Sequence, residues 1–210
     1  MAKGFFITGT DTNVGKTVLS ALLCAALPGT YWKPIQTGAT EGTDRRAVID
    51  AAGMEEGDTF PESYIFDDPV SPHLAARRAG REIALQDIVV PKRNSNRPLI
   101  VEGAGGVLVP VNREHLMTDL MRHVGLPAIL AARSTLGTIN HTLMSLRCLR
   151  GAGIEVRGVV LIGPTNADNR EAVERYGEIR VIGEIPVLPQ INKQSLLNVF
   201  AGQFVREAFQ

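Results

Sequence analysis

Along this chain, short unbroken apolar runs alternate with longer stretches in which apolar residues recur at helical spacing. The runs GFFITG (4–9), TYWKP (30–34), RPLIVEG (97–103), LPAILAAR (126–133), VRGVVLIG (156–163) and RVIGEIP (180–186) have strand length. They lack the alternation of a strand wetted on one face, so each reads as a strand covered on both sides. Helical periodicity marks 16–27, 44–53, 71–80, 84–91, 115–125, 138–153, 167–178 and a closing amphipathic stretch at 193–209. Pro28-Gly29, Gly53 and Gly153 supply stops, and Pro72 fits a first helical turn. Residues 54–72, rich in Pro, Asp and Glu, show no period and read as a surface excursion. The alternation predicts a doubly wound α/β fold, a mostly parallel sheet with helices on both faces. At 210 residues the chain suits one domain spanning 1–210, since two halves would each have a thin core.

Charge narrows the partners. Lys plus Arg and Asp plus Glu both total 22, so the formal net charge is zero and no overall field draws nucleic acid or an anionic membrane. No apolar run approaches the ~18 residues of a membrane span, and the opening MAKGFFITG lacks a signal-peptide core. Cys24 and Cys148 lie in apolar helical segments and read as reduced thiols. A cytoplasmic protein without nucleic-acid or membrane partners is expected.

In a doubly wound sheet, ligands bind beyond the carboxyl ends of the strands. FITGTDTNVGKTVLS (6–20) leaves the first strand and enters the first helix through a loop ending Gly15-Lys16-Thr17. The common phosphate loop is Gly, four residues, then Gly-Lys-Ser/Thr; here Thr10 holds the first position and Gly9 comes one residue early. The working end is intact. Gly15 admits a phosphate close to the backbone, Lys16 reaches the outer phosphates, and the Thr17 hydroxyl suits Mg²⁺. Amides along Thr12, Asn13, Val14 and into Val18 add the partial positive charge of a helix amino end. The fold is thus of P-loop type.

Lys33 closes the second strand, where it is either an ordinary solvated lysine or a second ammonium across from Lys16 at a transferring phosphoryl group. Glu102 ends the third long run and precedes Gly103, Ala104, Gly105 and Gly106. A carboxylate there suits a bound metal, and glycines let backbone approach a ligand. Asp44 before its helix reads as a cap unless it joins such a cluster. Gly137, Thr138, Ile139 and Asn140 open a long helix whose free amides fit either plain capping or a carboxylate. His73, His115, His123 and His141 show no metal-ligand spacing.

GTDTNVGKT, KPIQTG, SPHLAA, VEGAGG, LGTINHT and GEIP together resemble the dethiobiotin synthetase family in order and approximate spacing, from Gly9 to about Pro186. The resemblance implies closure of a ureido ring on 7,8-diaminononanoate from CO₂ (supplied as bicarbonate), with ATP and Mg²⁺. One amine takes up CO₂ as a carbamate, the carbamate oxygen attacks the γ-phosphate, and the second amine attacks the resulting anhydride and expels phosphate. It implies Thr17, Asp44 and Glu102 around Mg²⁺, Lys16 and Lys33 as catalytic residues at the phosphate and carbamate, and Thr37 near the diamine. It further implies a homodimer, with the substrate carboxylate at the amino end of the helix carrying Gly137, Thr138, Ile139 and Asn140 in the opposite subunit.

Two departures stand out. Asn13 replaces an acidic residue common in the family, with a modest effect expected. Ile162 and Gly163 stand where many members carry an adenine-reading Asn, so backbone near Pro186, Val187 and Leu188, or Asn166, is left to contact the base. Discrimination among nucleoside triphosphates is accordingly expected to be weak. Two other readings are a cobyrinate-type amidoligase and a partition-type switch ATPase. The first is opposed by the lack of a glutaminase segment and of a cysteine in a nucleophile setting. The second is opposed by Asp11, which takes the place of the extra loop lysine of the switch class.

Overall fold

Residues 4–92 and 97–209 are described by the structure, a computed structural model. Strands β1 (Gly4–Gly9), β2 (Thr30–Trp32), β4 (Thr59–Phe60), β6 (Leu99–Gly106), β7 (Ala128–Arg133), β8 (Val156–Ile162) and β9 (Val181–Ile185) build a seven-stranded sheet in the order β4-β2-β6-β1-β7-β8-β9. Every described pairing in it is parallel. Consecutive residues of β1 point to opposite faces, and both faces are dry. Phe6 joins Trp32, Val101, Leu130 and Leu161 under α3 (Pro72–Arg78), α4 (Met117–Val124), α5 (Thr138–Gly151) and α6 (Ala167–Gly177). Phe5 and Ile7 join Tyr31, Ile100, Ile129 and Val160 under α1 (Lys16–Ala26), α2 (Asp44–Ala52) and α7 (Lys193–Gln203). Burial on both faces is why the strands read as continuous apolar runs. Among the described residues no helix is long and apolar enough to cross a membrane.

Three local expectations need correction, and Asp44 is decided between its two readings. Within 54–72, β4 extends the main sheet beside β2, and β5 (Tyr64–Ile65) pairs with β3 (Ile35–Gln36) in a separate parallel ribbon. Each strand is two residues long, too short to carry a period, and the segment is tied down by Trp32 Nε1 donating to the Pro61 carbonyl at 3.1 Å. Across 84–91 there is only a 3₁₀ turn at Leu85–Asp87. Beyond that turn the chain is irregular, with Ile88, like Ile83 just before it, wholly buried in the core on the α3–α4 side.

The closing helix stops at Gln203, because Phe204 turns extended and bridges to Gly183 before a 3₁₀ turn at Arg206–Phe209. A Cβ on Gly183 would lie 2.5 Å from the Phe204 ring, so the missing side chain makes room for an aromatic cluster of Phe200, Phe204 and Phe209. Finally, α2 is capped by the Thr43 hydroxyl, accepting from the Arg46 amide, which leaves Asp44 as the first helical residue with its carboxylate free for other work.

Candidate active site

The loop between β1 and α1 is shaped by two left-handed residues. Asn13 has φ 57°, a conformation that Asn adopts more readily than most side chains, which accounts for its place here. Gly15 has φ 95°, and a Cβ on it would lie 2.9 Å from Ile162 Cδ1, so a side chain there would be strained by its backbone and would have to displace Ile162. Gly15 also stands at the N-cap of α1 without a side-chain cap, and the first turn carries no acidic residue. The amides at this helix end are therefore left for an anion. Lys16 is buried and donates to the Asp11 carbonyl at 2.9 Å. The Asp11 carboxylate turns outward to Arg133, 2.8 Å away, and accepts the Thr12 amide at 2.7 Å.

Beside the loop lies a cluster of opposite charges. β2 and β6 run side by side with Trp32 level with Val101, so the next residues, Lys33 and Glu102, emerge together at the carboxyl edge. Lys33 Nζ lies 3.1 Å from Glu102 Oε1 and also contacts Asp44 Oδ2. The Thr17 hydroxyl lies 2.9 Å from Glu102 Oε1 and 3.2 Å from Asp44 Oδ1. Gln36, buried, accepts the Asp44 amide at 3.0 Å and donates to the Thr37 carbonyl at 2.7 Å, fixing the start of α2 against β3. Tyr31, also buried, donates from its phenol to Glu102 Oε2 at 3.0 Å.

Burial disfavours the Lys33 ammonium, but the Glu102 and Asp44 carboxylates together outweigh that, and its pKa is raised. Lys16 goes the other way. Burial lowers it to about 8, opposed by Glu102 and reinforced by the neighbouring charge of Lys33. The Tyr31 phenol is pushed well above its ordinary value, first by burial and then by Glu102, so it remains a donor.

The loop and the charge cluster open on one cavity of about 970 Å³, whose lining includes Thr12, Asn13, Gly15, Lys16, Thr17, Val18, Lys33, Thr37, Asp44, Glu102, Ala104 and Gly105. The two lysines thus face a single space. One hydroxyl and two carboxylates in mutual contact form the hard-oxygen set that suits Mg²⁺, which typically takes one or two protein carboxylates and completes its shell with phosphate and water. Among the described residues no group of three or more His, Cys, Asp and Glu side chains gathers as an all-protein cage.

Other expected residues lie elsewhere. Val14 is buried among the α1-side apolar residues beneath the loop, so only its backbone faces the phosphate position. Gly103 makes room for a neighbour, since a Cβ on it would meet the Phe6 ring at 2.8 Å. Ile162, Gly163, Pro186, Val187 and Leu188 sit at the carboxyl ends of β8 and β9, outside the cavity lining, with the Gly163 amide donating to the Ile185 carbonyl. Asn166 caps α6 by accepting from the Asn169 amide. Gly137, Thr138, Ile139 and Asn140 form the amino end of α5 and do not line the cavity within one chain. Tyr31 and Gln36 escaped the sequence reading. The signal for Tyr31 was its spacing, two residues before Lys33 and hence on the same face of the strand.

A family profile described as an AAA domain matches residues 3–195. The ATP-dependent dethiobiotin synthetase of Paramagnetospirillum magneticum is 48% identical over 194 residues, covering 92% of this chain and 93% of the relative. That of Nitrobacter hamburgensis is 41% identical over 209 residues, covering 100% and 98%. The chain belongs to the dethiobiotin synthetase family. Among solved structures, a ParA-family ATPase from Chlorobium tepidum aligns with a TM-score of 0.55 at 12% identity, over 94% of this chain and 90% of that one. The MinC:MinD complex of Aquifex aeolicus aligns at 0.51 and 12%, over 94% and 86%. At such identity the likeness shows the P-loop fold alone.

Proposed function

We propose that the chain is an ATP-dependent dethiobiotin synthetase, a ligase that forms both C–N bonds of the ureido ring on 7,8-diaminononanoate and releases ADP and phosphate. The observation that carries this reading is the convergence of Lys16, Lys33, Thr17, Asp44 and Glu102 on one cavity. Carbamate formation joins one amine nitrogen to CO₂ and releases a proton. A carbamate oxygen then attacks the γ-phosphorus while the bond to ADP breaks. The second amine attacks the carbamate carbon, and phosphate departs with the oxygen it received.

Each residue has a task in that sequence. Lys16 exchanges the Asp11 carbonyl for phosphate oxygens, a trade that favours its charged form. Lys33 stays a fixed cation and stabilises the charge passing between carbamate and phosphoryl oxygens, electrostatic catalysis that needs no proton transfer. Its Asp44 contact is the freer one, because that side chain is 33% exposed while the Glu102 side chain is 1% exposed. Thr17, Asp44 and Glu102 would hold Mg²⁺, which when bound neutralises phosphate charge. Thr37 is assigned to the diamine, in support of which it lines the cavity.

The substrate carboxylate is assigned to the amino end of α5 in a second subunit, giving a homodimer. In support, Leu136 is fully exposed just before that helix, and Leu108 and Met144 are half exposed. Incubation with diaminononanoate, bicarbonate, Mg²⁺ and ATP should yield dethiobiotin by mass spectrometry. Phosphate release without that product, or independent of the diamine, would refute the assignment.

A further inference from the structure

Glu102 is asked to do several things at once, and one of its two oxygens is spoken for by a residue outside the cavity. Oε1 faces the Thr17 hydroxyl and the Lys33 ammonium, on the side where the divalent ion and the phosphates would lie. Oε2 accepts from the Tyr31 phenol. Tyr31 does not line the cavity. It sits on β2 opposite Ile100, diagonally across from Glu102 on the α1 side of the sheet, with its ring wholly buried among the apolar residues of that layer.

We infer that Tyr31 is a positioning residue for the metal site: its hydroxyl locks the rotation of the Glu102 carboxylate so that Oε1 is presented to Thr17, Lys33 and the divalent ion.

A carboxylate on a flexible Glu side chain has two rotatable bonds beyond Cβ, the second of them a soft terminal torsion. Fixing it from one end by Thr17 and Lys33 and from the other by Tyr31 removes that freedom before any ligand arrives, which is the condition for tight, geometrically strict Mg²⁺ coordination. A plain packing role would not require this partner. The adjacent Trp32 satisfies its own buried donor with a backbone carbonyl, that of Pro61. Tyr31 instead spends its only donor on the carboxylate of the site.

The inference rests on the proposed function for the identity of the ion, so its test reads metal binding without turnover. Mn²⁺ serves as the probe, titrated by electron paramagnetic resonance into the intact protein with a non-hydrolysable ATP analogue. Partners of this kind are worth roughly 10- to 100-fold in metal affinity. Tyr31→Phe should therefore weaken Mn²⁺ binding by about tenfold, and Tyr31→Met, which also lacks the hydroxyl, by a similar factor.

Binding of the analogue in EDTA should be unchanged in both variants. In turnover, the Mg²⁺ concentration for half-maximal rate should rise by about the same factor, with a smaller fall in kcat at saturating Mg²⁺. Ile100→Val, which loosens the packing beside Tyr31 without touching the hydrogen bond, should leave Mn²⁺ affinity within about twofold of wild type. Unaltered Mn²⁺ affinity in either Tyr31 variant, or an equal loss in Ile100→Val, overturns the inference. A wild-type protein that makes no dethiobiotin would instead overturn the proposed function and leave the Mn²⁺ result standing.

Discussion

Replacing Lys33 with Met keeps the length of the side chain and removes its charge, leaving Asp44 and Glu102 to face each other in a site where Lys33 itself is only 4% exposed. Breaking a buried ion pair by deleting one partner costs about 3–5 kcal/mol. The Asp44 side chain, 33% exposed, can turn toward water, so the lower end of that range applies here. For a chain of this size, where each kcal/mol moves Tm by roughly 2–4 °C, a loss of about 3 kcal/mol corresponds to a fall of about 6–12 °C.

Mg²⁺ should restore most of that loss in the variant, because a divalent ion can stand between the two carboxylates as the ammonium did. Wild type, whose carboxylates are already partnered, should gain little from Mg²⁺ alone. Thermal melts of both proteins in EDTA and in excess Mg²⁺ check this, alongside phosphate release, which should drop by at least about 10²-fold in the variant even with Mg²⁺ present. The reasoning fails if Lys33→Met melts within about 2 °C of wild type in EDTA, or if Mg²⁺ raises both proteins equally.

Free Lys16 loses its proton through about pH 8, while bound phosphate requires the ammonium. ATP affinity should therefore be flat below pH 8 and weaken above it, approaching about tenfold per pH unit, with proton uptake detectable by calorimetry in buffers of different ionisation enthalpy. Gly15→Ala should cost about 1–3 kcal/mol in Tm measurements and sharply reduce ATP binding. Trimming Ile162 to Ala should relieve only part of it, since the backbone at φ 95° remains strained. ATP should exceed GTP and CTP in kcat/KM by no more than about tenfold, the worth of a single net hydrogen bond; a far larger preference would show that side chains read the base.

The strands and the phosphate loop were legible because their signals are local. Continuous apolar runs report burial on both sheet faces, and Gly15-Lys16-Thr17 lies within one turn of chain. Lys33 and Glu102 could each be assigned to the site in advance, because a doubly wound sheet gathers the carboxyl ends of its strands at one edge. Their pairing needed the adjacency of β2 and β6. Asp44 could not be judged alone. Only the fold shows that Thr43 takes the capping role and that Gln36 fixes the backbone of α2, releasing the Asp44 carboxylate to the site. The helix expected across 84–91 and the unbroken final helix failed for a tertiary reason. Ile88 is claimed by the core from an irregular segment, and Phe204 is drawn from its helix by the space at Gly183. Tyr31 was hidden because a Tyr in an apolar run looks like packing until its phenol is seen to end on Glu102.

The central claim is that ATP supplies a phosphoryl group to the substrate and does not merely drive a conformational change. Turnover with freshly dissolved ¹⁸O-labelled CO₂ tests it most directly. If the carbamate oxygen attacks the γ-phosphorus and leaves with it, the released phosphate must carry one labelled oxygen for each dethiobiotin formed. Phosphate whose new oxygen comes from water alone would contradict the account.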